Sequence, residues 1–107
     1  MTDFKDRQRG EEAKFAMDAD TAFRVAARRN RLLGHWAAEK MGLSAEETEA
    51  YAKAVIQADF EEAGDEDVIR KVLGDLTGAG VDIDEAGVRA ALEEKSVEAK
   101  RQLMSES

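Results

Sequence analysis

The chain reads as an all-α protein, a four-helix bundle preceded by a mobile N-terminal segment. Three observations predict this. The 107 residues contain no Pro and are rich in Ala, Glu, Lys and Arg, which favour helix. Apolar residues recur at three- and four-residue spacing in four stretches, with few of the β-branched alternations that mark strands. The connections between those stretches are short, so consecutive helices become packed neighbours.

Residues 1–17 stand apart from this pattern. Phe4-Lys5-Asp6-Arg7-Gln8-Arg9-Gly10-Glu11-Glu12-Ala13-Lys14-Phe15 mixes charges with only two large apolar side chains. On a helix, Phe4 and Phe15 fall about three turns apart on nearly one face. That stripe is too sparse to fold alone, so the segment is expected to stay unstructured until a partner supplies the missing surface.

The first bundle helix is expected from about Asp20 to Met41, with Phe23, Ala26, Ala27, Leu33 and Ala37 as its apolar stripe, widened by Leu32 and Trp36. Gly42 stands where a left-handed cap is least costly. Ser44-Ala45-Glu46-Glu47 is a capping box that starts a second helix, whose stripe is Ala50, Tyr51, Ala54, Val55 and Ala58. After Gly64, Asp65 can cap a shorter third helix carrying Val68, Ile69, Val72, Leu73 and Leu76, the densest apolar face in the chain. Gly78-Ala79-Gly80 turns into Asp82-Ile83-Asp84-Glu85, the start of a fourth helix with Val88, Ala91, Leu92, Ala99 and Leu103 on one side. The organisation is thus a flexible segment, 1–17, and one bundle domain, 18–107. Either Asp18 or Asp20 can cap the packed part of the first helix.

Composition narrows the function. With no Cys there is no disulfide, thiol chemistry or Cys-based zinc site. No apolar run is long enough to span a bilayer and the N-terminus is charged, so a soluble, cytoplasmic protein is expected. Residues 1–31 hold eight Lys and Arg against six Asp and Glu, a balance of +2, whereas the remainder carries −10.

No credible catalytic set emerges. The single histidine, His35, reads as a partly exposed helix residue rather than a base held against a nucleophile. Adjacent acids such as Glu46-Glu47 and Glu93-Glu94 point about 100° apart on a helix and share no pocket. Asp82 to Glu93 resembles part of a calcium-binding EF-hand loop, but Ala86 stands where an oxygen donor is needed and Arg89 where an apolar residue is needed. No metal and no cofactor is expected.

Arg24, Arg28, Arg29 and Arg31, with Asn30, make the strongest positive field. A chain this acidic would repel nucleic acid elsewhere, so no nucleic-acid partner is expected. Two readings stay open for Arg28, Arg29 and Arg31: a weak nucleotide or anion site sensing energy state, or pairing with acids of neighbouring helices. Gly34, inside the first helix, costs about 1 kcal/mol against Ala and so points to a close approach by another helix.

Glu12-Ala13-Lys14-Phe15, Ala27-Arg28-Arg29-Asn30-Arg31-Leu32-Leu33-Gly34-His35-Trp36-Ala37-Ala38-Glu39 and Gly64-Asp65-Glu66-Asp67-Val68-Ile69-Arg70-Lys71 resemble, in order and spacing, the zeta subunits of alphaproteobacterial F-type ATP synthases. The resemblance runs over essentially the whole chain. It implies a non-enzymatic regulator that inhibits ATP hydrolysis by the synthase's catalytic head of alpha, beta and gamma subunits, at the cytoplasmic face of the membrane. It implies further that the N-terminal segment becomes helical in a catalytic alpha-beta interface and blocks hydrolytic rotation. On this chain the inhibitory contacts would be Phe4, Lys5, Arg7, Gln8, Arg9, Glu12, Lys14 and Phe15. Gly10, midway along that helix, raises the cost of ordering it.

Overall fold

A computed structural model describes residues 19–61 and 65–106. They form four helices, α1 (Ala19–Met41), α2 (Ala45–Glu61), α3 (Glu66–Gly78) and α4 (Glu85–Glu106), and no strand. The four-helix expectation holds, with boundaries moved by a few residues at most. The readings placed on residues 1–17, Asp18 and Gly64 fall outside the described residues.

α1 packs against all three other helices, most extensively α2 and α4, and is the central member of the bundle. Leu33 and Ala37 of α1, Val55 of α2, Val68, Ile69, Val72 and Leu76 of α3, and Val88, Ala91 and Leu92 of α4 form one buried cluster. Trp36, Tyr51, Leu73, Val81 and Ile83 cover its edges. The dense stripe anticipated on α3 is buried except for half-buried Leu73.

Two stripes need correction. Phe23 is 52% exposed, because the first turns of α1 lie largely in solvent and burial begins in earnest at Asn30. On α2, Ala50 is exposed and the buried residues are Ala52 and Val55. The cause is Gly34: a Cβ built there would lie 2.7 Å from the Cα of Ala52, so the two helix backbones meet at this pair. That approach sets which face of α2 turns inward.

The helix ends follow the chemistry of their sequences. The Ser44 hydroxyl accepts from the Glu47 N–H at 3.1 Å, while the Ser44 N–H donates to Glu47 Oε1 at 2.9 Å, which is the expected reciprocal capping box. Gly42 and Gly80 adopt φ of +73° and +84°. Each closes a helix with paired backbone bonds: Leu43 N–H to Ala38 C=O and Gly42 N–H to Glu39 C=O, then Val81 N–H to Leu76 C=O and Gly80 N–H to Thr77 C=O.

One start differs from expectation. Asp65 precedes α3 but its side chain makes no capping bond; its carboxylate is 3.0 Å from Arg29 Nη1 instead. α4 begins at Glu85, within the expected Asp82 to Glu85 start, and Asp84 Oδ1 accepts the Gly87 N–H at 2.9 Å and thereby acts as the cap.

Polar ties lock the outer helices. The Tyr51 hydroxyl donates to Asp75 at 2.7 Å, joining α2 to α3, and Lys71 reaches the same carboxylate while lying over the Tyr51 ring. Burial, then the Asp75 carboxylate, pushes the Tyr51 hydroxyl above the usual tyrosine range. Arg89 Nη2 meets Glu66 at 2.8 Å and its Nε meets Glu85 at 2.8 Å, so one guanidinium fixes the start of α3 against the start of α4.

Candidate functional site

The arginine cluster of α1 is dispersed among carboxylates of the other helices. Arg28 pairs with Glu106 through two bonds and reaches Gln102 at 3.4 Å, both near the end of α4. Arg29, whose side chain is 11% exposed, lies 3.0 Å from Asp65 and 3.6 Å from Asp59, tying α1 to the start of α3 and to α2. Arg31 binds Glu49 of α2 at 3.1 Å, and His35 Nε2 is 3.2 Å from the other oxygen of that carboxylate. Arg24 pairs with Asp20 one turn earlier in α1.

Adjacent residues on a helix diverge by about 100°, which is why Arg28 and Arg29 find different partners. The three arginines proposed to hold an anion therefore do not converge on a common point. Each is already satisfied by carboxylates, and a phosphate would have to displace them. What the cluster does in the described structure is bind the central helix to its three neighbours.

The burial of Asn30 is what sequence reasoning missed. This residue is 1% exposed, the one buried polar side chain among the described residues, and its Oδ1 accepts from Arg29 Nε at 3.1 Å. It thus orients the guanidinium toward Asp59 and Asp65. A polar residue inside an Arg-rich run gives no sign of burial until the neighbouring helices are placed.

His35 faces Glu49 without a well-formed hydrogen bond, although its Nε2 is screened from solvent. It is half-buried, as its sequence context suggested. Among the described residues no cluster of three or more His, Asp or Glu is arranged to hold a metal ion, and no helix is long and apolar enough to cross a membrane.

The ion pairs predict a pH dependence. Hydrogen bonds from Arg89 and Arg28 hold the exposed carboxyls of Glu66 and Glu106 below the ordinary value of 4.5. A carboxyl depressed in this way stabilises the fold above its ordinary value and loses that contribution as pH falls through the depressed one. The double variant Glu66→Gln/Glu106→Gln is expected to melt below the parent at about pH 7 and together with it at about pH 2 to 3. Thermal unfolding followed by circular dichroism at both pH values decides this, since an equal gap at both would contradict it.

The inhibitory positions Phe4, Lys5, Arg7, Gln8, Arg9, Glu12, Lys14 and Phe15 all lie outside the described residues. Their segment is joined covalently to the N-terminus of α1, the helix that contacts every other member of the bundle.

Similarity to known proteins covers most of the chain. A protein known from a solution NMR structure is 55% identical, with a TM-score of 0.70, over 79% of this chain and 96% of its own. No curated protein matches. The family described as ATPase inhibitor subunit zeta matches residues 1–102. The chain belongs to the ATPase inhibitor subunit zeta family.

Proposed function

We propose that this chain inhibits ATP hydrolysis by the catalytic head of an F-type ATP synthase, with residues 1–17 as the inhibitory element and the bundle as its anchor. The segment folds into a helix at a catalytic alpha-beta interface and blocks rotation. The observation that carries this reading is the extent of the family match, which begins at residue 1 and so includes the segment together with the bundle.

Physical chemistry is consistent with that division. Ordering the segment costs roughly 1 kcal/mol or more per residue in backbone entropy. The interface must return more than this, and Phe4 and Phe15 are the side chains able to fill pockets, while Arg7, Arg9 and Lys14 can meet acidic groups on the partner. Gly10 adds to the ordering cost, which tunes inhibition downward. Among the described residues, the buried cluster is built from side chains between Leu33 and Leu92.

The test compares full-length protein with a variant lacking residues 1–17, each added to purified catalytic head. Hydrolysis is expected to fall with the full chain and to persist with the truncated one, while circular dichroism shows the bundle still helical. Equal inhibition by the two forms would remove the segment from the mechanism.

A further inference from the structure

The solvent face of α4 carries a patch that the bundle does not use. Val97 and Met104 are 53% and 56% exposed, and they line a shallow groove with Lys100, Arg101 and Ser105. Several other cations have acidic partners three or four residues away, as in Arg24–Asp20, Arg70–Asp67, Lys71–Asp75 and Arg89–Glu85. Around Lys100 and Arg101 those spacings hold Val97 and Met104 and a single acid, Glu98, three residues before Arg101. The nearest acid, Glu98, is engaged by Lys95 and Gln102. Neither Lys100 nor Arg101 has an ion pair among the described residues; Lys40, which lies over the Trp36 ring instead, and Lys53 share that condition.

Two unpaired positive charges between two exposed apolar side chains, on a chain of net charge −8, select a partner by complementarity. An anionic membrane is disfavoured, because surface attraction takes a larger basic cluster and the rest of the protein is repelled. A symmetric contact with a second copy would bring Lys100 and Arg101 against their own counterparts. Residues 1–17 carry four Lys and Arg against four Asp and Glu, so that segment offers no net opposite charge.

We infer that the Val97–Met104 face of α4 docks an acidic segment, bearing apolar side chains, of the ATPase that the N-terminal segment inhibits. The inference rests on the function proposed above and adds a second contact to it. Two linked contacts raise the effective concentration of the inhibitory segment at its site, so the bundle contributes affinity without entering the catalytic interface.

The experiment uses the full-length chain and purified catalytic head, measuring the concentration for half-maximal inhibition at low and high salt. Lys100→Glu/Arg101→Glu is expected to raise that concentration about tenfold at low salt, with complete inhibition still reached at saturation. Val97→Ser/Met104→Ser is expected to raise it at both salt concentrations, and Lys53→Glu to leave it unchanged. Circular dichroism verifies that each variant is folded. The inference is overturned if the parent inhibits and both patch variants inhibit equally well. It is also overturned if the variants abolish only self-association in sedimentation, or only binding to phosphatidylglycerol vesicles. A parent that fails to inhibit at all would instead refute the proposed function, and this contact with it.

Discussion

Replacing Gly34 by alanine is expected to destabilise the bundle, although the same change in an ordinary helix interior would stabilise it by about 1 kcal/mol. The added Cβ would lie 2.7 Å from the Cα and 3.3 Å from the Cβ of Ala52. Backbone atoms of a packed helix cannot swing aside as the tip of a lysine can, so α1 and α2 must separate. Overpacking of this kind costs about 1–3 kcal/mol, which exceeds the gain in helix propensity. Gly34→Leu drives a whole side chain into the same contact and is expected to prevent native packing of α2. Gly74 of α3 supplies the control, since nothing lies within 4 Å of the Cβ it would acquire. Gly74→Ala is therefore expected to raise the melting temperature and Gly34→Ala to lower it. If both shift in the same direction, the close approach of α1 and α2 is not what selects glycine at position 34.

Leu76→Ala is expected to cost more, about 2–5 kcal/mol, from lost transfer energy and the cavity left behind. Leu76 is fully buried in the central cluster and its carbonyl also receives the Val81 N–H that closes α3. A domain of this size has only about 5–15 kcal/mol of total stability, so the loss is a large share of it. Thermal or urea unfolding should show a midpoint lowered by roughly 10–20 °C or its denaturant equivalent. Val97→Ala, at an exposed position on α4, is expected to change stability by less than about 0.5 kcal/mol. Comparable losses at the two positions would mean that the core does not lie where the burial pattern places it.

The capping box at Ser44 and Glu47 and the left-handed turns at Gly42 and Gly80 were legible because each depends on residues close in the chain. The apolar face of α3 was legible for a related reason: its inward stripe is wide, and few rotations of the helix could bury it. The stripe of α2 was harder to read, since alanines lie all along that helix and periodicity alone does not distinguish Ala50 from Ala52. The contact with Gly34 makes that distinction. The sequence did point to a close approach at Gly34, though not to which helix would supply it.

The arginine run shows the same limit on the functional side. Arg28, Arg29 and Arg31 were visible as a concentration of positive charge, with pairing and anion binding both open. Glu106, Asp65, Asp59 and Glu49 become their partners only when three other helices are brought against α1. The burial of Asn30 had no local signal at all.

By itself the sequence determined the all-α class, the four helices, most of their ends, and the sparse apolar pattern of residues 1–17 that marks the segment off from the bundle. These rest on propensity, capping and periodicity, which act within a few residues of chain. Tertiary structure alone decided the α1–α2 contact at Gly34 and Ala52, the pairing of each arginine, and the unpaired basic and apolar face left on α4. Those depend on which side chains from distant parts of the chain share a small volume, and that follows from helix packing rather than from local order along the chain.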